Sequence, residues 1–363
     1  MALVEPRIAL SMLTLVPGAM GGTETYARAL TRYLDPTRVR ATAYVPRGAE
    51  GFSQGIPEVV VPELTAGASS AQRLRTQALG VARGARIRRL MADAQVVHFP
   101  FTVMIPPIER RVGSIVTAHD VQHLDMPQNL SWAQRQYRKV TYDPPAQAAD
   151  LVITDSEFAR RSIIEHLGID PDKVRTIHLG FDASGFAPSD EPRESFLLYP
   201  ARPYRHKNHR ALIEAVALLR REEPDLRLVL TGEGLERLRD VPDWVDRRGL
   251  IPFDELKRLY RTARLLVFPS LYEGFGLPPL EAMASGCPVA ASTAASIPEV
   301  VGDAAELFDP STPESIADGI RRALARTTDL TTRGLRRAGS FGGWETPIRA
   351  HEDAYVEVAA RYS

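Results

Sequence analysis

One stretch constrains this chain more than any other. The apolar run Leu265 to Phe268 ends at Pro269-Ser270, and Glu273-Gly-Phe-Gly-Leu-Pro-Pro-Leu-Glu281-Ala-Met-Ala-Ser285 follows. The run reads as a buried strand reaching a loop. Gly274 and Gly276 leave backbone amides uncovered, and Pro278 and Pro279 suit the first turn of a helix, where a missing N–H costs nothing. Glu281 then falls about one turn inside that helix. A Gly-rich loop feeding a helix N-terminus favours an anion, through free N–H groups and the helix dipole. Two carboxylates flank it, and carboxylates suit hydroxyls. Amides for phosphate beside acceptors for hydroxyls describe a pocket for a sugar nucleotide.

The rest of the chain repeats this strand-then-helix grammar, the pattern of parallel α/β sheets. Strands are expected at Arg7–Thr14, Ala41–Val45, Val59–Val61, Val96–His98, Ser114–His119, Leu151–Thr154 and Val174–His178. A polar stretch, Asp182 to Glu194, reads as a linker. A second series follows at Phe196–Tyr199, Arg227–Thr231, Val245–Arg248, Leu265–Phe268, Val289–Ala291 and Glu306–Phe308. The expected architecture is α/β, with two doubly wound parallel-sheet domains of Rossmann-like type, residues 1–183 and 184–345, facing a central cleft. The helix-like segment Glu345 to Arg361 is expected to pack back on the first domain, which then takes in 346–363.

Composition excludes several classes. The 45 basic and 45 acidic residues cancel, which favours neither a nucleic-acid partner nor disorder. Cys287 is the single cysteine, so an internal disulfide is excluded and a reducing compartment is suited. Ile8 to Val16 is apolar but short and follows Glu5, more like a first strand than a signal peptide. No apolar run approaches the ~20 residues that span a bilayer. The expectation is a soluble cytoplasmic protein.

Other candidate residues also fall just after expected strands. Gly18-Ala-Met-Gly21-Gly22-Thr23 precedes a helical stretch, Thr25 to Leu34. The double glycine fits close approach of backbone to a phosphate or sugar, or else a plain tight turn with Thr23 as N-cap. It lacks the dinucleotide G-x-G-x-x-G spacing. His119-Asp120 ends a strand, where histidine can donate to a substrate hydroxyl or move a proton, or simply close the strand. Arg202, Arg205 and Lys207 share a loop whose cations can neutralise a diphosphate. Gly232-Glu-Gly234 is a turn or a nucleotide contact, and Gly249-Leu250-Ile251 can present backbone to a base. Asp170-Pro-Asp172 resembles a metal-holding D-x-D but sits where a turn is needed. No convincing metal cluster emerges. Arg73, Arg75, Arg83, Arg86, Arg88 and Arg89 make one helical stretch basic, either a solvated face or a dock for anionic lipid or a phosphorylated acceptor.

Together these residues resemble the retaining glycosyltransferases of family four, with the two-domain GT-B fold, over nearly the whole chain. The resemblance rests on Gly21-Gly22, Thr117-Ala-His119-Asp120, Ile153-Thr-Asp-Ser156-Glu-Phe158, Arg202 with Lys207-Asn208, Gly232-Glu-Gly234, Tyr260 through Pro269-Ser270 and, most specifically, Glu273 to Ala282. It implies that Glu281 holds the ribose hydroxyls and that Glu273 sits beside the donor sugar. Phe275, Gly276 and Leu277 offer amides to sugar and phosphate. Arg202 and Lys207 stabilise the departing diphosphate, His119 touches the sugar near the reacting carbon, and Gly22 approaches the phosphate. Gly21, Gly232 and Leu250 complete the binding set. His178-Leu-Gly180-Phe-Asp182 departs from the family's Asn-Gly-Val-Asp, and Arg205 sits in a longer loop than usual.

The implied activity is hexose transfer without a cofactor or metal, the nucleotide sugar serving as substrate. The sequence around His119-Asp120, continuing Val121-Gln122-His123-Leu124, is similar to bacterial mannosyl- and rhamnosyl-type transferases of surface polysaccharides. GDP-mannose is therefore the favoured donor, ahead of UDP-glucose and dTDP-sugars. The acceptor is a saccharide, lipid-linked or free, or a natural product. The basic stretch Arg73 to Arg89 offers a peripheral contact to the inner face of the membrane. A nucleotide-sugar 2-epimerase and a catalytically silent sugar-nucleotide binder are the competing readings.

Overall fold

A computed structural model describes residues 5–67, 69–109 and 111–362. The chain divides into two compact units, residues 1–180 with 344–363, and residues 181–343.

In the first unit, among the described residues, seven parallel strands form one sheet: β1 (Arg7–Ser11), β2 (Arg40–Arg47), β3 (Glu58–Thr65), β4 (Val96–Phe99), β5 (Gly113–Thr117), β6 (Leu151–Thr154) and β7 (Val174–Thr176). Their order is β3-β2-β1-β4-β5-β6-β7, so the chain reverses direction across the sheet between β1 and β4, where Leu10 pairs with His98. Helices on both faces explain why β4, β5 and β6 are buried at every position rather than alternating. One of those helices is the C-terminal Glu345–Ala360. It lies so close to β5 that a Cβ on Gly113 would meet Val358 at 2.6 Å.

The second unit repeats the plan with β8 (Glu194–Pro200), β9 (Arg227–Thr231), β10 (Val245–Arg247), β11 (Ala263–Phe268), β12 (Val289–Ser292) and β13 (Glu306–Phe308), again all parallel. The order β10-β9-β8-β11-β12-β13 puts its reversal between β8 and β11. In open sheets of this kind, ligands bind beyond the strand C-termini at the reversal. Those are the loops holding Lys207 and Glu273.

Several local expectations are corrected, and the turn expected at Asp170 is met. β5 stops at Thr117, so His119 lies in the following loop and not on the strand. The helix after the double glycine begins at Gly22, with Gly21 as a cap that has no side chain to offer, so Thr23 is inside the helix. The basic stretch is two helices, Ser70–Ala82 and Gly84–Leu90, interrupted at Arg83. Asp170 does make a turn, its Oδ1 accepting from the Asp172 amide at 3.0 Å. The polar segment 182–194 falls within the second unit, which begins at Phe181. Arg193 at its end donates to the carbonyls of Arg261, Ala263 and Gly286, tying it to the second sheet. Among the described residues no helix is long and apolar enough to cross a membrane.

Candidate functional site

In the second unit the loop after β8 is pinned to the end of β11. Asn208 adopts a left-handed backbone (φ 59°) and its side-chain amide donates to the carbonyls of Pro269 and Pro310. Leu271 N–H donates to the His206 carbonyl at 2.7 Å, and the Tyr199 hydroxyl bridges the Lys207 carbonyl and Ser270 Oγ. These bonds bring Lys207 onto Glu273, with Nζ 2.7 and 2.8 Å from the two carboxylate oxygens. Both side chains are largely shielded, so this charge-assisted pair is stronger than a surface ion pair. An ammonium has three N–H donors. Glu273 takes two and one remains.

The loop itself is fixed from behind. Ser296 Oγ lies 2.9 and 2.8 Å from the carbonyls of Glu273 and Phe275. Gly276 then turns at φ 116°, a conformation open to glycine, into the helix Leu277–Ala284. No side chain caps that helix, so its N-terminal dipole favours an anion, with the Leu277 amide to offer since Pro278 and Pro279 contribute no N–H. Inside the helix, Glu281 Oε2 accepts from the Tyr260 hydroxyl at 2.6 Å. Burial pushes the Glu281 carboxyl up, and the Tyr260 bond offsets part of that rise. Its Oε1 has no hydrogen-bond partner among the described residues and is free to accept.

Arg202 pairs with Glu233 at 2.8 Å in a partly exposed setting, and Arg205 is exposed and unpaired among the described residues. Gly232 N–H donates to the Gly249 carbonyl at 2.7 Å, and a Cβ on Gly232 would meet the Ala201 carbonyl at 2.7 Å. Thus Arg202, Gly232 and Gly249 are neighbours, as the sequence required only loosely. Leu250 is 81% exposed, so what it offers is backbone and an open apolar surface.

In the first unit Gly21 (φ 58°) opens the helix Gly22–Tyr33, and the Glu24 side chain folds back to accept from the Gly18 amide at 2.7 Å. His119 Nδ1 lies 2.6 Å from Asp155 Oδ2 and Nε2 lies 2.9 Å from the Pro100 carbonyl. Both acceptors lack hydrogens, so both ring nitrogens donate and the ring is an imidazolium. Burial opposes that charge, but Asp155, the Pro100 carbonyl and Asp120 together hold the pKa above its ordinary value. The ring therefore has no lone pair with which to take a proton, and both of its N–H groups are held by the protein.

Beneath it runs a chain of buried polar groups. His351 Nδ1 donates to the Pro347 carbonyl, so its Nε2 must accept from the Tyr26 hydroxyl at 2.8 Å. Tyr26 can then only accept from Thr117 Oγ1, Thr117 accepts from His98 Nε2, and His98 Nδ1 accepts from Tyr355. Burial puts His351 at about 4 and, with the neighbouring imidazoles His351 and His119, holds His98 well below its ordinary value. Both are neutral, as the donor order demands. The Tyr26 ring meets His119 edge-on at 5.3 Å. Tyr26, His351 and Ser296 were not read from sequence, and Asp155 was read only as part of the motif Ile153-Thr-Asp-Ser156, with no role assigned. Its place just past β6, the strand beside β5, was the signal for one.

Among the described residues no three His, Cys, Asp or Glu side chains converge to hold a metal. A model of the Glycosyltransferase Family 4 domain matches residues 20–184, and one of the Glycosyl transferases group 1 matches 185–333. The chain belongs to glycosyltransferase family four. This glycosyltransferase is 29% identical to the O-antigen chain mannosyltransferase B of Escherichia coli, over 72% of its own chain and 74% of that protein. It is 32% identical to an MMP α-(1→4)-mannosyltransferase of Mycolicibacterium hassiacum over 58% of its own chain, and spans about half that relative's length (55%). The sucrose-phosphate synthase of Thermosynechococcus elongatus shares the transferase's fold, with a TM-score of 0.77 over 99% and 100% of the two chains at 20% identity. The two-sheet architecture is GT-B.

Proposed function

We propose that this glycosyltransferase moves mannose from GDP-mannose to a saccharide acceptor, with retention of configuration and without a metal ion. The observation that carries the reading is the Lys207–Glu273 pair at the reversal of the second sheet, with the loop from Glu273 leading into a helix whose Glu281 carboxylate keeps a free oxygen. Mannose is supported by the names of the two relatives, and retention by the family resemblance. Glu281 Oε1 accepts from the ribose, and the uncapped turn at Leu277 meets the diphosphate. The C1–O bond to phosphate breaks with its electron pair on the diphosphate, where Lys207, Arg202 and Arg205 balance the charge, a role otherwise open to a metal. The acceptor oxygen bonds to C1 on the same face and its proton passes to the leaving diphosphate oxygen.

The test is calorimetric titration with GDP, UDP and dTDP, before and after a chelator, followed by NMR of the anomeric carbon in the product. GDP binding and turnover that survive the chelator support the reading. UDP preference moves the donor to UDP-glucose. Loss of activity restored by manganese overturns the metal-free mechanism.

A further inference from the structure

The first unit carries a long surface groove with an order of chemistries along it. Its widest part, about 640 Å³, lies between the helices Ser70–Ala82 and Trp132–Thr141 and is lined almost wholly by hydrocarbon. Leu74, Ala78 and Val81 face it from one helix at i, i+4 and i+7, and Trp132, Gln136 and Val140 from the other at i, i+4 and i+8. Trp132 and Val140 are 70% exposed and Val81 is 60% exposed, an unusual set of large apolar groups on one face. Tyr137 also lines two adjoining depressions that share Arg73. One of these, about 170 Å³ and more polar, ends on the loop Leu13 to Met20 that leads into the double glycine.

The two segments that wall the groove carry charge of one sign. Residues 70–91 hold six arginines and residues 131–142 hold Arg135, Arg138 and Lys139, with no acid in either segment. Arg86, Arg88 and Arg138 are spent on Glu63, Glu109 and Asp120. Arg73, Arg75, Arg83, Arg89 and Lys139 have no ion-pair partner among the described residues. Hydrocarbon slot, arginine at the junction, polar pocket at the glycine loop: this order matches a molecule whose long apolar chain joins a saccharide through phosphate.

We propose that the acceptor is a saccharide carried on an isoprenyl phosphate, its chain in the groove of Leu74, Val81, Trp132 and Val140, its phosphate at Arg73 and its sugar in the pocket beside residues 13–20. The proposal rests on the transferase reading and names its acceptor class.

The test follows tryptophan emission of the whole protein as geranyl, farnesyl and geranylgeranyl phosphate are added. Binding tightens by about fourfold for each further methylene buried, and the emission shift is lost in W132F. V81D and V140D, both at exposed positions where circular dichroism confirms folding, lose the dependence on chain length. R73A weakens every length by a similar factor of about tenfold, from loss of one phosphate contact, and farnesol binds the wild type correspondingly weakly. Affinity independent of chain length, or unchanged in V140D, overturns the proposal. So does equal binding to phosphatidylglycerol vesicles that contain no isprenyl phosphate, which assigns the face to the bilayer. GDP titration of the same samples separates the two readings: if GDP binds and isoprenyl phosphate does not, the acceptor assignment alone is overturned.

Discussion

The Lys207 ammonium sits 2.7 and 2.8 Å from the two carboxylate oxygens of Glu273, across 66 positions of sequence. The pair joins the loops after β8 and β11 and fixes a cation where the second sheet reverses. Removing Lys207 takes away that cation and leaves Glu273 uncompensated in a mostly shielded place. K207A is expected to lower kcat by about 10²-fold or more if the charge acts on the leaving group. In a double-mutant cycle with E273Q on thermal stability, the coupling is expected at about 0.5–3 kcal/mol. A change in KM alone, with kcat intact, would sink the leaving-group role.

Glu281 offers one oxygen to Tyr260 and keeps the other. E281A is therefore expected to weaken nucleoside diphosphate binding by about 10- to 100-fold, the scale of a hydrogen bond to a charged group. Y260F frees the second oxygen and raises the cost of burying the carboxylate, so it shifts the pH dependence of binding more than its strength. Calorimetry on both variants checks this, and unchanged affinity in E281A removes the ribose assignment.

What was legible in the sequence was whatever local order encodes. Apolar runs ending in Pro or Gly marked the strands, and Gly276 with Pro278 and Pro279 marked a helix start that the structure places at Leu277. Pairings between distant side chains were not legible. Tyr26 and His351 stand 325 positions apart, and helical periodicity shows which face is buried but not which polar atom it meets. His119 looked free because Asp155 and Pro100, which occupy its ring, come from other strands' ends. The basic stretch looked like one helix because nothing in residue type forces the break at Arg83.

His119 depends on Asp155 for its charge. D155N is expected to lower the histidine's pKa and to destabilise the first unit by about 1–3 kcal/mol, the range for disrupting a buried hydrogen bond. The folded pKa is raised, so the pair's contribution is complete below the unfolded value near 6.5 and is lost as pH climbs through the folded value. The stability gap between wild type and D155N should therefore narrow on the alkaline side. NMR titration of the His119 ring reads the shift directly, and an unmoved pKa in D155N would contradict the imidazolium assignment.

His351 works in the opposite direction. Burial holds it at about 4 in the folded chain, against an ordinary value near 6.5. Its neutral Nε2 accepts from Tyr26, at the start of the chain that continues through Thr117 and His98 to Tyr355. As pH falls below about 6.5 the unfolded chain takes up a proton that the folded chain refuses, so stability is full above that pH and declines toward 4. Each such histidine contributes a slope of up to about 1.4 kcal/mol per pH unit. H351Q keeps an acceptor for Tyr26 but cannot be protonated, and should flatten the acid decline of the first unit. Hydrogen exchange of amides in Gly22–Tyr33 and Glu345–Ala360 at pH 7 and pH 5 measures it. In the wild type, protection of both helices should fall together at the lower pH, because the Tyr26–His351 bond joins them. If H351Q loses protection as steeply as the wild type, the acid sensitivity belongs to another group, and His98 is the next to replace.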